Sequence, residues 1–174
     1  MIILGLNCFH GDASAALFRD GELVAAVEEE RFNRFKHSGG FPSNAVRWCL
    51  YKGGIDPREI DYVAIPRKSN AHILRKLMWA ARLPASSASR FKALKNFISL
   101  KEQLAFCFGL KPNDIKADFK FVEHHLAHMS SSFYTSSYEN AAVVSIDGMG
   151  DHASMVWGIG QDNKLIIKDY VYFP

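Results

Sequence analysis

The sequence has few cysteines, and their number and spacing exclude two classes of protein. Its three cysteines, Cys8, Cys49 and Cys107, are far apart in 174 residues and lie among apolar neighbours. An odd, scattered set argues against a disulfide framework and against a cysteine-based zinc site. We therefore predict three buried free thiols.

Long apolar segments are also missing. No run approaches the roughly 20 residues of a membrane-spanning helix, and the first residues, MIILGLN, have neither a basic segment nor a secretion cleavage site. With 48% hydrophobic residues, the chain can still bury a core. We expect a soluble cytoplasmic protein of one domain, or of two small domains that share a sheet.

Positive charge is concentrated in one part of the chain. The segment 67–111 holds ten lysines and arginines and one acid, Glu102, so it carries +9 while the whole chain carries +3. Such a block is typical of an insertion with its own surface role. A basic surface on helices is favoured over a nucleic-acid site, because the segment lacks the exposed aromatic spacing of single-strand binders.

Periodicity and turn residues predict an α/β chain. Asp20-Gly21 suits a tight hairpin, which makes the first three strands a meander. Pro42 and Gly53 suit the start and the end of a helix. The fourth strand is expected to run parallel to the first. The predicted strands are 2–7, 13–19, 23–28, 60–65, 119–122, 141–147, 153–159 and 164–172, and the predicted helices are 43–52, about 70–82, about 90–108 and 124–135.

An internal repeat appears when the sequence is shifted by 140 positions. ILGLNCFHGDASAALF then lies over VVSIDGMGDHASMVWG without a gap, and chance similarity between two hairpins is the alternative explanation. Two such hairpins resemble the actin-like ATPase and sugar-kinase fold, in which one loop from each half grips a nucleotide. The repeat thus predicts two facing loops, Asn7 to Asp12 and Asp147 to Asp151, with Asn7, Gly148, Gly150 and Asp151 as nucleotide-binding residues.

Two histidines one helical turn apart predict a metal site. His124 and His128 share one helix face, and Asp147 ends a strand expected to lie beside the strand that feeds the helix. Two imidazoles and a carboxylate with open positions suit Fe(II), Zn or Mn in a reacting role. The alternative is a pair of half-buried histidines on an amphipathic helix. His125 faces elsewhere, which favours a structural role.

The first loop and the charged run after the meander supply further candidates. His10 and Asp12 could form a general base and the carboxylate that holds it, or only a capped turn. The cluster of Arg31, Arg34, Lys36 and His37 could bind a phosphorylated substrate, or could form only a solvated loop.

Four motifs, in order along the chain, resemble the nodulation- and antibiotic-type O-carbamoyltransferases. They are GLNCFHGDASAAL, EEERFNRFKHSGGFP, VEHHLAHMSSSFYTS and VSIDGMGD. In this portion the family is similar to the tRNA threonylcarbamoyltransferase and belongs to the actin-like ATPase superfamily. The resemblance implies an actin-like, ribonuclease H-like mixed sheet with flanking helices. It implies one half-domain at 1–140 with a basic insert at about 67–111, and an incomplete second half at 141–174.

The resemblance also implies an activity. Members of the family transfer a carbamoyl group from carbamoyl phosphate to a substrate hydroxyl, through a carbamoyl-adenylate made with ATP. His124, His128 and Asp147 match the residues that hold a divalent metal, commonly iron. The histidine of the first loop is the family's expected base, but Gly11 separates His10 from Asp12, whereas one branch has histidine directly before aspartate.

Length sets this chain apart from the family. Its members are several times longer and carry a separate adenylate-forming domain, so the resemblance implies a fragment that is inactive alone. Two other functions stay open: a small-molecule kinase or ATPase of the same superfamily, and a non-catalytic nucleotide-binding module. The partners expected are a small hydroxyl acceptor and the missing carboxy-terminal domain, with no membrane and no nucleic acid. The sequence leaves the oligomeric state open, with a homodimer among the states considered.

Overall fold

The computed structural model describes residues 1–9, 11–68, 71–72 and 99–172. Its strands are β1 (Ile2–Asn7), β2 (Ser14–Arg19), β3 (Glu22–Glu28), β4 (Tyr62–Ile65), β5 (Asp118–Phe121), β6 (Asn140–Gly150), β7 (Ala153–Gln161) and β8 (Lys164–Tyr172). Its α-helices are α1 (Glu30–Asn33), α2 (Ser43–Gly53), α3 (Leu100–Cys107) and α4 (His124–Phe133), with 3-10 turns at Pro57–Glu59 and Pro112–Asp114. The eight predicted strands and the helices predicted at 43–52 and 124–135 are thus confirmed.

The described residues fall into two structural units, of which the first comprises 1–9, 11–65 and 99–121. Its five-stranded sheet has the order β3-β2-β1-β4-β5. Strands β1 to β3 form the predicted antiparallel meander, and β4 pairs parallel to β1 as expected. The Asp20-Gly21 turn has φ of +53° and +91°, the conformation that a two-residue hairpin of this kind requires.

Helix α2 covers one face of this first sheet. Its apolar side, Ala45, Val46, Cys49 and Leu50, packs into the same core as the inward-facing residues of β1 and β2. Helix α3 adds Leu100, Leu104 and Ala105 to this core. Gly54 caps the carboxyl end of helix α2, and its φ of +61° lets its N–H reach the carbonyls of Leu50 and Tyr51.

The second unit comprises 66–68, 71–72 and 122–172. Its three-stranded antiparallel sheet has the order β6-β7-β8. Helix α4 packs on one face of this sheet, where Met129 and Phe133 meet Val143, Ala153 and Val156. Gly160 leaves room for the Phe133 ring, which an added Cβ would overlap.

The first hairpins of the two meanders, β1–β2 and β6–β7, have the same strand register, which supports the internal repeat. Leu4 pairs with Leu17 in the first hairpin, and Val144 pairs with Trp157 in the second, each 140 positions further along. Leu17 and Trp157 are equivalent positions, and an irregularity follows each of them. The pairing of β2 with β3 shifts between Leu17 and Phe18, and the pairing of β7 with β8 shifts between Trp157 and Gly158. Two unrelated hairpins would have no reason to share a bulge position.

The end of β6 differs from the prediction. This strand was expected to stop at Asp147 and open into a glycine turn, but it continues to Gly150, which pairs with Ala153. The turn is Asp151-His152, with φ of +49° and +74°, so a two-residue connection closes the hairpin. The register is irregular between Ile146 and Gly150. Gly148 and Gly150 therefore belong to a strand, and the prediction of a glycine loop was wrong.

A second correction concerns the neighbour of β6. It was expected to lie beside β5, but β5 is an edge strand of the first sheet, while β6 pairs with β7 in a separate sheet. Pairing with the strand that follows in the chain satisfies the backbone of β6 locally. The two units also divide near residue 121, not at 140, because α4 packs on the second sheet.

Most of the basic insert lies outside the described residues. The helix predicted at about 70–82 falls there apart from residues 71–72, and the one predicted at about 90–108 is described only from residue 99, where it contains α3. The three cysteines are free and buried, as predicted. No helix in the described ranges is long and apolar enough to cross a membrane.

Candidate metal centre

The candidate metal centre lies at the amino end of helix α4. Two carboxylates accept hydrogen bonds from the backbone N–H groups at this end. The Glu123 side chain accepts hydrogen bonds from the backbone N–H groups of His125, at 3.0 Å, and Leu126, at 2.8 Å. The Asp151 carboxylate accepts the N–H of His124 at 3.2 Å and that of Lys68 at 3.1 Å. The first free donors of the helix are thus satisfied, which fixes the backbone that carries the histidines.

Three predicted ligands converge at this end of the helix. The Nε2 atom of His124 lies 2.6 Å from Oδ2 of Asp147 and 3.0 Å from Nε2 of His128. One ligand atom from each residue lies within 4.8 Å of the other two. An ion with bonds of about 2.1 Å places neighbouring ligand atoms about 3 Å apart, so the three side chains fit a single divalent cation.

The electrostatics of the cluster favour the forms that bind metal. Partial burial, with the nearby His124 second, lowers the pKa of His128, so its imidazole is neutral at neutral pH. Partial burial alone would raise the pKa of Asp147, but the hydrogen bonds from His124 and the Gly148 N–H outweigh it and the net shift is downward. A neutral imidazole and an ionised carboxylate are the states in which these groups coordinate a cation.

His125 links α4 to the second sheet by hydrogen bonds. Its side chain is fully buried, with Nε2 3.0 Å from the carbonyl of Ala153 and Nδ1 2.8 Å from the hydroxyl of Ser145. Because a carbonyl only accepts, Nε2 carries the proton, and in the neutral ring Nδ1 accepts the Ser145 O–H. The structural role predicted for His125 matches this position.

Gly150 is a site residue that sequence reasoning did not explain correctly. A Cβ on Gly150 would overlap the His124 ring and lie 2.7 Å from its Nε2. The absence of a side chain is therefore what lets the imidazole of His124 lie against β6. From the sequence, this glycine was predicted only to belong to a phosphate-binding loop that follows Asp147.

The candidates of the first loop form a second cluster, in the first unit. Asn7 donates from Nδ2 to the carbonyl of Asp12 at 2.9 Å, and Oδ1 of Asp12 lies 3.1 Å from Nδ1 of His37. Asp12 and His37 have φ of +62° and +55° and stay largely exposed. His10, the predicted base, lies outside the described residues.

The other residues predicted to bind substrate or nucleotide do not form one cluster. Arg31 lies 3.3 Å from the carboxylates of Glu28 and Glu30, and Lys36 is exposed. Gly148 is exposed next to Asp147, with nothing within 4 Å of the position of an added Cβ. Asp151, predicted to bind nucleotide, has one carboxylate oxygen that accepts two backbone N–H groups.

Comparison with known proteins identifies related sequences. A family model described as the carbamoyltransferase N-terminus matches residues 2–174. An uncharacterized protein of Synechocystis, sll1178, is 35% identical over 99% of this chain and 29% of its own length. The nodulation protein NolNO of Sinorhizobium fredii is 34% identical over 97% of this chain and 24% of its own length. The chain thus spans about a quarter of the length of these relatives.

Solved structures provide a comparison of fold. YeaZ from Pseudomonas aeruginosa superposes with a TM-score of 0.51 at 15% identity, covering 99% of this chain and 66% of the other. The likeness supports the expected fold class, a mixed sheet with flanking helices of the actin-like ATPase type.

Proposed function

Because the chain belongs to the family of carbamoyltransferase amino-terminal domains, we propose that it forms part of an enzyme that transfers a carbamoyl group from carbamoyl phosphate to the hydroxyl of a small molecule. ATP is the second substrate: water releases phosphate from carbamoyl phosphate, and an oxygen of the resulting carbamate attacks the α-phosphate of ATP, which expels pyrophosphate and gives a carbamoyl-adenylate. In the last step the acceptor oxygen attacks the carbamoyl carbon, the bond to AMP breaks, and the hydroxyl proton passes to a base. The products are a carbamate ester and AMP.

The observation that carries this proposal is the convergence of His124, His128 and Asp147. These residues would hold the divalent metal, with Fe(II) favoured and Zn or Mn as alternatives, since the donor set of two imidazoles and a carboxylate leaves positions open. When bound, the metal supplies a Lewis acid for an anionic oxygen of the adenylate. The carboxylate of Asp151 contributes indirectly, by fixing the backbone of His124.

The acceptor proton needs a base, and the first loop offers two candidates. His10 is the residue that the family resemblance favours. His37 is the alternative, because Asp12 lies 3.1 Å from its Nδ1 and would stabilise the imidazolium that forms. Arg31 and Lys36 are the cationic side chains proposed to bind the anionic substrates.

Metal binding tests the proposal and separates it from a kinase or a non-catalytic module. Anaerobic titration with Fe(II), Zn(II) or Mn(II) should give one equivalent bound, and the variant with His124→Ala and His128→Ala should bind at least about a hundredfold more weakly. His37→Ala is the matched control, since it removes an imidazole outside the trio and should leave the metal affinity unchanged. Equal metal binding by the double variant and the parent chain would contradict the proposed site.

A further inference from the structure

The loop between helices α1 and α2, residues 34–42, is joined to the first loop by backbone hydrogen bonds. We call it the α1–α2 loop. The Ala13 N–H donates to the carbonyl of Ser38 and the Phe9 N–H to the carbonyl of Gly40, both at 2.9 Å. These bonds fix the later part of the α1–α2 loop against the first loop.

The residues at the contact between the two loops have an unusual backbone conformation. Arg34 and His37 have φ of +57° and +55°, and Asp12, which faces His37, has φ of +62°. Residues other than glycine adopt this conformation rarely, so it persists only where the surrounding contacts hold it. The contact of His37 with Asp12 therefore depends on the bonds that keep the α1–α2 loop in place.

Asn33, the last residue of α1, closes the earlier part of this loop. Its Oδ1 accepts the Phe35 N–H at 2.8 Å, and its Nδ2 donates to the hydroxyl oxygen of Ser38 at 2.8 Å. Ser38 directly follows His37 in the chain. One carboxamide thus bridges the four-residue span that contains His37.

Burial does not hold the contact between the His37 and Asp12 side chains. Nδ1 of His37 lies 3.1 Å from Oδ1 of Asp12, but the two side chains are 82% and 55% exposed. An exposed pair contributes little stability by itself, because water competes for both groups and both side chains lose rotational freedom. A loop that is held in its final conformation reduces this loss, and the Asn33 bonds provide such a constraint.

We propose that Asn33 is a positioning residue for His37, and that it keeps the imidazole in the tautomer with the proton on Nδ1. A carboxylate only accepts, so Nδ1 donates to Asp12, and in the neutral ring Nε2 keeps its lone pair. Nε2 then takes the proton of the acceptor hydroxyl as its oxygen attacks the carbamoyl carbon. This inference rests on the proposed function, in which His37 is one of two candidate bases.

Nitrogen NMR of the 174-residue chain measures the tautomer directly, because protonated and unprotonated ring nitrogens have widely different chemical shifts. Spectra are recorded at about pH 8.5, where an ordinary imidazole is neutral. His37→Ala identifies the His37 resonances among those of seven histidines. The Nδ1–H form should dominate in the parent chain, and Asn33→Ala should lower the ratio of the Nδ1–H form to the Nε2–H form at least about threefold.

Three further variants provide the controls. Asn33→Asp should keep the parent ratio, because a carboxylate can accept both the Phe35 N–H and the Ser38 O–H. Asp12→Ala removes the acceptor of Nδ1–H and should lower the ratio as Asn33→Ala does. Asn113→Ala removes an exposed carboxamide from the 3-10 turn at Pro112–Asp114 of the same unit and should leave the ratio unchanged.

Melting curves show whether each variant folds. If Asn33→Ala does not fold, Ser38→Ala takes its place, since it removes the hydroxyl that Asn33 contacts and keeps the backbone bond from Ala13. Ser38→Ala should shift the ratio in the same direction.

Three outcomes would overturn the proposal. The first is a parent chain in which the Nε2–H form dominates, and the second is an unchanged ratio in Asp12→Ala. The third is an unchanged ratio in Asn33→Ala with faster hydrogen exchange of the Phe35 amide, which would mean that Asn33 closes the loop without controlling His37. These measurements need neither metal nor substrate, so their failure is distinguishable from failure of the metal titration.

Discussion

Gly150 allows β6 and the start of α4 to approach each other closely. The His124 ring lies where a Cβ of residue 150 would stand, and the same ring touches the Asp147 carboxylate and the His128 imidazole. A methyl group at this position must therefore move a proposed ligand. Gly148, two residues earlier on the same strand, has open space around it.

The two glycines make a matched pair for mutation. Gly150→Ala should lower the affinity for a divalent metal by about 10- to 100-fold, because the His124 imidazole is displaced from the cluster. Gly148→Ala should change the affinity by less than about threefold, apart from a small effect on strand stability. Calorimetric titration with Zn(II) measures both. A similar loss in the two variants would mean that the steric role assigned to Gly150 is wrong.

At the level of single residues, the sequence predicts those relations that depend only on neighbouring positions in the chain. His124 and His128 could be selected because four positions place two side chains on one helix face, whatever the surrounding fold. The contact of Gly150 with His124 joins residues 26 positions apart and depends on how α4 packs, so no local pattern reveals it. His125 could be set apart because it faces away from the pair.

Helix α2 shows how an element can be stabilised by a residue outside it. Its N-cap position is Pro42, which offers no side-chain acceptor. The buried carboxylate of Glu29 takes that place and accepts hydrogen bonds from the N–H groups of Asn44, at 3.3 Å, and Ala45, at 2.9 Å, and from the Asn44 side chain, at 2.7 Å. A negative charge at the amino end of a helix also interacts favourably with the positive end of the helix dipole.

Removing this carboxylate should destabilise the first unit. Glu29→Ala leaves buried N–H groups without an acceptor and should cost about 2–3 kcal/mol of the free energy of unfolding, measured by urea denaturation. Glu28→Ala is the control, because its carboxylate forms an exposed pair with Arg31 and should contribute less than about 1 kcal/mol. Equal effects of the two substitutions would show that Glu29 is not a specific cap.

Strands and turns that are determined by residues close together in sequence were predictable. The exact ends of the strands were less predictable. The Asp20-Gly21 turn and the alternating apolar runs predicted the first meander, because adjacent strands and a two-residue turn need no distant partner. Asp147-Gly148 looked like the end of β6, but the tight turn falls at Asp151-His152, where two non-glycine residues adopt positive φ. Asp and His adopt positive φ more often than most residues, but they are also common outside turns, so composition alone does not locate this turn.

At the scale of the whole molecule, the relatives are about four times as long as this chain. We therefore expect the proposed activity to be divided between the segment that this chain matches and the rest of those longer proteins. The 174 residues contain the proposed metal ligands, whereas the proposed adenylate formation is expected to need a region of the longer relatives outside the matched segment. The repeat made two half-domains predictable from sequence. Their boundary was not, because the packing of α4 on the second sheet depends on contacts such as Met129 with Val156.

The chain alone should therefore bind metal without forming the adenylate. Incubated with ATP, carbamoyl phosphate and Fe(II), it should release no pyrophosphate above the background of ATP alone, because the proposed function assigns adenylate formation to a part of the longer relatives outside the matched segment. A pyrophosphate assay calibrated with added standard measures this without knowledge of the acceptor. Pyrophosphate release that depends on carbamoyl phosphate would contradict this division of labour.

The meander at the start of the chain also has a consequence for the order of folding. The pairings of β1 with β2 and of β2 with β3 join strands that are adjacent in sequence, so their hydrogen bonds can form once about 30 residues have left the ribosome. The parallel partner of β1 is Tyr62–Ile65, and β5 follows more than 50 residues later, after the basic segment. The hairpins would then form first during synthesis, and completion of the first sheet would wait for the insert to be made.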